Sequence, residues 1–304
     1  MLHQPDPCSL PKSIKHPVEI QNIVSAHEVD GLAMVRFLYW LAHIPLDGRE
    51  TELSAAQKLR GFREKGSHFD TSSFETISAH GPSNALIHYQ PSPQSNRKLT
   101  GPSLYLVDSG GQYKNGGTTD VTRTVSLGPP QDLQKGHFTR VLRGHIDLAR
   151  AIFPPKTLGV QLDVLARNPL WEIGLDYEHG TGHGVGSYLA VREGPQSISK
   201  RPHPVPLQRG MVVSNAPGYY RINKYGIRLE NLMVVVEKNP SQDKQLGFQT
   251  LTLVLFERYL IPRQLLAPWH IDWLNDYHQK VYETHATHLE EEARVWLLQQ
   301  TQPI

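Results

Sequence analysis

The spacing of hydrophobic residues divides the chain into helical and β-rich regions. After Pro17, apolar residues recur at helical spacing through "EIQNIVSAHEVDGLAMVRFLYWLAHI", which predicts a long amphipathic helix. A second helix is predicted over "ELSAAQKLRGFREKG", because Gly66 can take the left-handed conformation that ends helices. Between residues 74 and 128 the pattern changes to short β-rich runs, "FETISAH", "ALIHY", "LYLVDSG" and "VTRTVSLG".

The same order then repeats along the chain. Helical periodicity returns in "DLQKGHFTRVLRGHIDLARAIF" and "GVQLDVLARNPLWEIG", and a β-rich region follows from about residue 179 to residue 256. The segment "HIDWLNDYHQKVYETHATHLEEEARVWLLQQ" predicts one long closing helix. This order favours an α+β fold of two similar halves around a shared antiparallel sheet, although length alone allows about two domains.

Composition and charge exclude several classes of protein. The 304 residues include 31 basic and 29 acidic side chains, a formal charge of +2, so the concentrated positive field of a nucleic-acid-binding protein is absent. No apolar run approaches the roughly 18 residues that a membrane span needs. The N-terminus carries prolines and charges in place of a signal peptide's apolar stretch. The single cysteine, Cys8, suits a reducing compartment. We therefore expect a cytoplasmic protein without nucleic-acid or membrane partners.

Two aspartates stand at the ends of neighbouring β-rich runs. Asp108 ends "LYLVD" and Asp120 opens "DVTRTV". If "SGGQYKNGGTT" forms the loop of a hairpin, the two carboxylates face one another across adjacent strands. Like charges that close repel unless a cation lies between them, so this arrangement favours a metal site. The alternative is a pair of ordinary turn aspartates.

Histidines and a glutamate add further candidates. "HGTGHGVGSY" places His179 and His183 in a glycine-rich segment, which predicts a loop whose backbone passes close to a site, with one imidazole as ligand and the other as hydrogen-bonding partner. Glu230 lies in a strand-like run with Arg228 on the same face, so it either binds a metal or pairs with that arginine. His88 ends the apolar run "ALIHYQP", which predicts a strand end.

Together these motifs resemble the Xaa-Pro aminopeptidase family of metallopeptidases. The resemblance rests on His88, "LVDSGGQYKNGGTTDVTRT", "HGTGHGVGS", "SNAPGYY" and "YGIRLEN", in that order, and covers nearly the whole chain. It implies a pita-bread fold of two pseudo-symmetric halves, so residues 1–304 are expected to form one catalytic-type domain. Residues 268–304 would be a C-terminal helical extension, and the domains that usually precede the catalytic one would be absent.

The resemblance also implies a reaction and a set of site residues. Members of the family hydrolyse the N-terminal residue before proline and hold two divalent metal ions, usually manganese. By motif match, Asp108 would bind one metal, Asp120 and Glu230 would bridge both, and His183 would bind the other. His88 and His179 would orient the substrate and stabilise the tetrahedral intermediate.

Three departures from the family pattern weaken that implication. Ala216 replaces a metal-binding glutamate, and Arg192 replaces an active-site histidine. An arginine stays charged and therefore cannot relay a proton as a histidine can. One extra residue lies between the two aspartates, in the region of Gly116 and Gly117, where a bulge could absorb it. Two divalent ions facing three carboxylates and Arg192 would leave about +2 in a buried site. We expect zero or one Mn²⁺, poor binding on the His183 side, or replacement of an ion by Arg192 paired with Glu230 and Asp120.

Three functions therefore stay open from the sequence. The chain is either a weakened or inactive Xaa-Pro aminopeptidase acting on peptides with proline at the second position, or a non-catalytic pseudoenzyme that binds a peptide or protein. A creatinase-like hydrolase on the same fold is the third option. A homodimer is compatible with the apolar face of the last helix, although core packing explains those residues equally well.

Overall fold

The computed structural model describes residues 6–239 and 245–304. The α-helices are α1 (Ser9–Ser13), α2 (Pro17–His43), α3 (Glu52–Arg63), α4 (Asp132–Ala149), α5 (Gly159–Trp171), α6 (Pro268–His285) and α7 (Glu291–Gln300). Four helices, α2 to α5, follow the sequence prediction closely. The longest of them, α2, begins directly after His16. The backbone N–H of His16 donates to the Glu19 carboxylate at 2.8 Å, and Pro17 occupies the first helical position, where its missing N–H costs nothing.

The prediction of one long closing helix is wrong, because the chain breaks it between α6 and α7. Ala286–His288 form a 3-10 turn, and Leu289 is extended so that its side chain is buried in the core. Arg36 donates to the carbonyl oxygen of His288 at 2.8 Å and fixes the break. The acidic residues that follow then lie at a new helix N-terminus, where negative charge is favourable.

The strands form small antiparallel sheets, as the α+β prediction requires. Two of these sheets carry the site. One has the order β3, β5, β8, and the other has the order β12, β15, β16, β9. The strands are β1 (Asp47–Thr51), β2 (Phe69–Ser72), β3 (Ile77–His80), β4 (Lys98–Thr100), β5 (Ser103–Ser109), β6 (Gly111–Tyr113), β7 (Gly117–Thr118), β8 (Val121–Leu127), β9 (Ile152–Phe153), β10 (Gly182–His183), β11 (Ser197–Ile198), β12 (Val212–Asn215), β13 (Gly218–Arg221), β14 (Tyr225–Arg228), β15 (Asn231–Asn239) and β16 (Gln245–Thr250).

A single antiparallel bridge between Thr122 and Glu230 joins the edge of one of these sheets to the other. Thr122 lies in β8, and Glu230 directly precedes β15. The backbone N–H of Glu230 donates to the Thr122 carbonyl oxygen at 3.1 Å. The junction between the two sheets therefore includes Glu230, one of the candidate metal ligands.

The predicted strand over "ALIHY" is wrong. Strand β3 ends at His80 because Gly81 has φ +59° and Pro82 follows it, and residues Gly81–Ala85 form a 3-10 helix. Leu86 is 60% exposed, so the apolar run does not enter the core. His88 consequently lies in a turn and not at a strand end.

The main core lies between helices α2, α4 and α6 and the sheet that contains β5 and β8. Leu274 and Val281 of α6 belong to it, so the C-terminal helices pack on the same core as Phe37 of α2. Of the apolar residues in the last helix, Leu297 is buried, Trp296 packs against Tyr39 with ring centroids 5.7 Å apart, and Val295 is 45% exposed. Core packing thus accounts for most of that apolar face. Among residues 6–239 and 245–304, no helix combines the length and apolarity needed to cross a membrane.

Candidate metal centre

Strands β5 and β8 deliver the two aspartates, in a different register from the predicted one. The strands are adjacent and antiparallel as expected, but Asp108 lies opposite Thr122, and Asp120 stands just before β8 begins. The reason is that the intervening residues form a hairpin of their own, β6 and β7, whose turn contains Gly116 with φ +109°. Both aspartates are buried. The glycine pair with the extra residue therefore lies at a turn and at the first residue of β7, outside β5 and β8.

The glycine-rich segment, which the sequence predicts to be a loop, contains the short strand β10 and brings His183 against strand β12. A Cβ at Gly182 would overlap the carbonyl oxygen of Ser214, and one at Gly184 would overlap that of Glu193. The backbone N–H of His183 donates to the Ser214 hydroxyl at 3.1 Å. Close backbone approach thus fixes the position of the imidazole.

Three acceptor atoms converge on one point in this part of the structure. The Nε2 atom of His183 lies 3.5 Å from Asp120 Oδ2 and 4.0 Å from Glu230 Oε1, and the three ligand atoms lie within 4.8 Å of one another. His183 Nδ1 is 3.0 Å from the carbonyl oxygen of Gly184, which can only accept, so in the neutral ring Nε2 carries a lone pair. Two carboxylate oxygens and a nitrogen lone pair with no donor between them could hold a cation. A backbone carbonyl on the outer nitrogen is the usual support for a metal-binding histidine.

Burial shifts the pKa values of all three groups toward their uncharged forms. Burial, followed by the charges of Glu230 and Asp108, raises the pKa of Asp120 well above its usual range. Burial and the charge of Asp108 raise the pKa of Glu230 to about 7. Burial lowers the pKa of His183 to about 4, so its imidazole is neutral at pH 7 and supplies no charge.

Arg228 pairs with Asp108 and not with Glu230. Its Nη2 atom donates to Asp108 Oδ2 at 2.7 Å, whereas Glu230 Oε2 accepts from the Thr122 hydroxyl at 2.7 Å. The other oxygen of Asp108 and the Oδ1 atom of Asp120 are buried and have no hydrogen-bond partner within the described ranges. One carboxylate of the site is thus neutralised by the protein itself, and two are not.

The two outer histidines differ in their surroundings. His179 Nδ1 lies 2.9 Å from the carbonyl oxygen of Gly180, so its Nε2 accepts from the hydroxyl of Tyr220 at 2.8 Å. Tyr220 in turn accepts from Arg228 Nη1 at 2.8 Å. Burial lowers the pKa of His179 to about 3, so its ring is neutral. His88 is exposed at the mouth of the cavity, where partial burial and Arg192 lower its pKa.

A cavity of about 340 Å³ opens beside these residues, and both substituted family positions line it. Ala216 is 7% exposed, and its backbone N–H donates to the Thr181 carbonyl oxygen at 2.7 Å. Arg192 is exposed. Of the described residues, neither Asp120 nor Glu230 forms an ion pair with Arg192, so the predicted replacement of a metal ion by that arginine is not seen.

Several site residues were not among the candidates from the sequence. Tyr220, Ser214, Arg201 and Thr122 contact the candidate groups or line the cavity. Ser214 and Tyr220 lie at the two ends of the quoted "SNAPGYY" motif, and Thr122 lies in the quoted "DVTRT". Arg201 lies outside these motifs and becomes a neighbour of the site only through loop packing.

Two family models match this chain and between them cover nearly all of it. The model of metallopeptidase family M24 matches residues 21–237, and a model of the C-terminal region of that peptidase family matches residues 244–304. Among similar sequences, aminopeptidase P1 of Lotus japonicus is 42% identical over 331 residues, covering 100% of this chain and 50% of the relative. Xaa-Pro aminopeptidase 1 of Dictyostelium discoideum is 41% identical over 316 residues, with the same shares covered.

Solved structures agree with these matches. An X-prolyl aminopeptidase from Caenorhabditis elegans, described as a cytosolic enzyme with a di-nuclear active site, has a TM-score of 0.93 and 40% identity over 98% of this chain and 50% of that chain. An X-Pro aminopeptidase from Thermotoga maritima has a TM-score of 0.70 and 28% identity over 82% of this chain and 64% of that chain. The chain spans about half the length of the curated relatives it matches.

Proposed function

The chain belongs to metallopeptidase family M24, a family of metallo-aminopeptidase hydrolases with the pita-bread fold, and on that premise we propose an impaired Xaa-Pro aminopeptidase. The proposed reaction is hydrolytic removal of the N-terminal residue that precedes proline in a peptide. The observation that carries this proposal is the convergence of Asp120, His183 and Glu230 on one point. The impairment is inferred from Ala216 and Arg192, which line the same cavity.

The charges of the site favour one divalent cation instead of two. Asp120 and Glu230 carry two negative charges when ionised, which balance a single divalent ion, whereas Arg228 already neutralises Asp108. Ala216 contributes no carboxylate. A second divalent ion would leave uncompensated positive charge in a buried site, where the effective dielectric constant is low. Oxygen ligands with one imidazole suit manganese, so we assign one Mn²⁺ to Asp120, His183 and Glu230.

The protein's own residues have distinct roles in this proposal. When bound, the cation supplies Lewis acidity that polarises a peptide carbonyl and acidifies water. Glu230, held by the Thr122 hydroxyl at 2.7 Å, would supply a carboxylate oxygen to that cation. His179, fixed by Tyr220, and His88 at the mouth orient the peptide. Arg228 holds Asp108 and Tyr220 in place.

A non-catalytic protein that binds a peptide or another protein is the second candidate. Arg192 favours it, because this guanidinium lies at the mouth of the cavity, has no ion-pair partner among the described residues, and cannot act as a proton relay. Ala216 favours it as well, because a metal site that lacks a carboxylate ligand holds its ion less tightly. The two candidates share the same cavity and differ in whether a peptide bond is cleaved there.

We also propose a domain organisation, a cellular location and an oligomeric state. We assign residues 1–304 to one domain with 268–304 as its helical extension, since Arg123 Nη2 donates to Tyr277 Oη of α6 at 3.0 Å within the core. A cytoplasmic location is supported by the free thiol of Cys8 and by the cytosolic relative from C. elegans. A homodimer is retained as a proposal through the exposed part of α7, which includes Val295.

Activity measured beside a restored variant tests the proposal. With Mn²⁺ present, cleavage of a Xaa-Pro peptide is expected to be at least about 100-fold slower than by the C. elegans relative, because two groups of the site are changed. The double variant Ala216→Glu with Arg192→His should recover Mn²⁺ binding and part of that rate. Either change alone should recover little, since Arg192 would pair with the new glutamate, and Arg192→His by itself restores no carboxylate ligand.

A matched control is Arg201→His combined with Ala216→Glu, since Arg201 lines the same cavity. This variant should not regain the rate, because Arg192 is still present. A native rate on the order of 10 per second would contradict the impairment. A double variant that binds no Mn²⁺ would contradict the assignment of the cation site.

A further inference from the structure

In the cavity wall opposite Glu230, the short side chain of Ala216 leaves space unfilled. Asn215 pairs with Asn231, and the Leu229 N–H donates to the Pro217 carbonyl oxygen at 3.2 Å, so Ala216 lies directly across from Glu230 between these two contacts. Residues opposite one another in antiparallel strands have Cβ atoms about 5 Å apart. Both residues line the cavity of about 340 Å³. An acid group beside the Ala216 methyl would therefore reach the same point as Glu230.

The same wall carries positive charge and free donors. Arg192 and Arg201 line the cavity, and within the described part of the chain neither forms an ion pair, whereas Arg228 is neutralised by Asp108. Ser214 lines the cavity on the same strand face as Ala216, two residues away. Its hydroxyl oxygen accepts from the His183 N–H, which leaves its own O–H to donate. Positive charge and hydroxyl donors in a concave site are the features that bind an anion.

Size and charge together specify which anion. Alanine lacks the CH2–COO⁻ group of glutamate, and acetate has the same heavy atoms as that group. A carboxylate that pairs with Arg192 at its outer oxygen can turn its inner oxygen toward the point where Asp120, His183 and Glu230 converge. Because those residues provide few ligands for a Mn²⁺ ion, an added oxygen ligand would tighten the binding of that ion.

We propose that the cavity wall at Ala216, Arg192 and Ser214 binds a carboxylate that the ligand brings with it, and that this carboxylate completes the donor set of Asp120, His183 and Glu230. The inference rests on the proposed cation site. The ligand class is a carboxylate, either a free acid the size of acetate or an acidic group of a peptide. Cation and carboxylate bind cooperatively, so each raises the affinity for the other by the same factor.

The experiment measures the Mn²⁺ affinity of the native chain in a series of small acids at constant ionic strength. Free Mn²⁺ is followed by electron paramagnetic resonance in formate, acetate, propionate, pivalate and the uncharged analogue acetamide. Acetate is expected to lower the Kd for Mn²⁺ at least tenfold, formate less, and pivalate and acetamide not at all. In the reverse titration, Mn²⁺ should tighten binding of acetate, detected by nuclear magnetic resonance of ¹³C-labelled acetate, by the same factor.

Variants separate this inference from the proposed function. Ala216→Glu with Arg192→His should bind Mn²⁺ without acetate and show no response to it. Arg192→Gln in the native background should weaken the acetate response, while Arg209→Gln, at a surface arginine paired with Glu237, should leave it unchanged.

An equal effect of acetate and acetamide overturns the carboxylate site. If the double variant binds Mn²⁺ and the native chain responds neither to acetate nor to an acidic peptide, the inference fails while the cation site stands. If neither binds Mn²⁺, both fail.

Two peptides distinguish the sources of the carboxylate. They are identical except for glutamate or glutamine as the residue before proline. A stronger increase in Mn²⁺ affinity with the glutamate peptide than with acetate assigns the site to an acidic peptide, and the reverse order assigns it to a free acid. Equal effects of the two peptides together with no effect of acetate overturn the proposal.

Discussion

Two buried charged clusters in this molecule look alike in composition and differ in how completely their polar atoms are bonded. In the first cluster, the Asp30 carboxylate accepts from Arg63 Nε at 2.7 Å, from Arg63 Nη2 at 3.3 Å and from the Tyr113 hydroxyl at 2.7 Å, while Arg63 Nη1 donates to Ser109. In the second cluster, the candidate metal centre, Asp108 and Asp120 each retain a buried oxygen with no partner among the described residues.

The difference indicates which cluster stabilises the fold and which could hold a ligand. A closed network of hydrogen bonds compensates the desolvation of its charges and fixes its elements, whereas an open one costs stability until something fills it. The two clusters are neighbours, because Ser109, bonded to Arg63, follows Asp108 in β5. The closed cluster therefore forms a rigid support next to the open one.

Replacing one aspartate in each cluster should give opposite results. Asp30→Asn removes the counter-charge of the fully buried Arg63, so it should lower the free energy of unfolding by about 3 to 5 kcal/mol. Asp120→Asn removes repulsion with Glu230 and should leave the metal-free protein as stable or more stable. Urea unfolding of both variants without metal checks this. A loss for Asp120→Asn as large as that for Asp30→Asn would remove the distinction.

Adding a carboxylate to the second cluster should increase its uncompensated negative charge. Ala216→Glu combined with Arg192→His places a third acid near Asp120 and Glu230 without an arginine to pair with it, so the metal-free variant is expected to lose about 2 kcal/mol of stability, and Mn²⁺ should restore it through binding to the folded state. Thermal unfolding with and without Mn²⁺ measures both effects, and Mg²⁺ at the same concentration serves as the control for ionic strength. Stabilisation by the substitutions without metal would count against an open cluster.

The last test is the pH dependence of the stability of Glu230→Gln. The folded-state pKa of Glu230 is raised to about 7 from 4.5, so its stabilising contribution is present at low pH and is lost as the pH rises through 7. Glutamine cannot ionise and keeps the bond from Thr122. Metal-free Glu230→Gln should therefore match the native protein below pH 4.5, and its advantage in stability should grow as the pH rises from 4.5 to 7. A difference independent of pH would show that the carboxylate does not titrate in this range.

Sequence patterns correctly predicted those parts of the molecule whose structure depends mainly on residues close together in the chain. Helix α2 follows from its periodicity and its start at Pro17, and the close approach of the segment around His183 follows from its glycines. His88 was placed wrongly because an apolar run was read as a strand, although Gly81 and Pro82 had already ended strand β3. The closing helix was wrong because burial of Leu289 outweighed helical periodicity.

The electrostatic pairing of the site depends on contacts that no local pattern contains. Arg228 shares a strand face with Glu230, and the sequence offered that pairing as an alternative. Its partner is instead Asp108, which lies 120 residues away in the chain and across the junction of two sheets. Which carboxylates remain free for a cation was therefore decided by tertiary structure alone.

The bridge between Thr122 and Glu230 makes the candidate metal centre a late product of chain synthesis. The two residues are 108 positions apart, and contacts between distant residues form slowly because a long loop must close first. The first half of the chain, with Asp108 and Asp120, leaves the ribosome well before Glu230 does. A cation that needs Glu230 as a ligand would therefore bind only after the two sheets have joined.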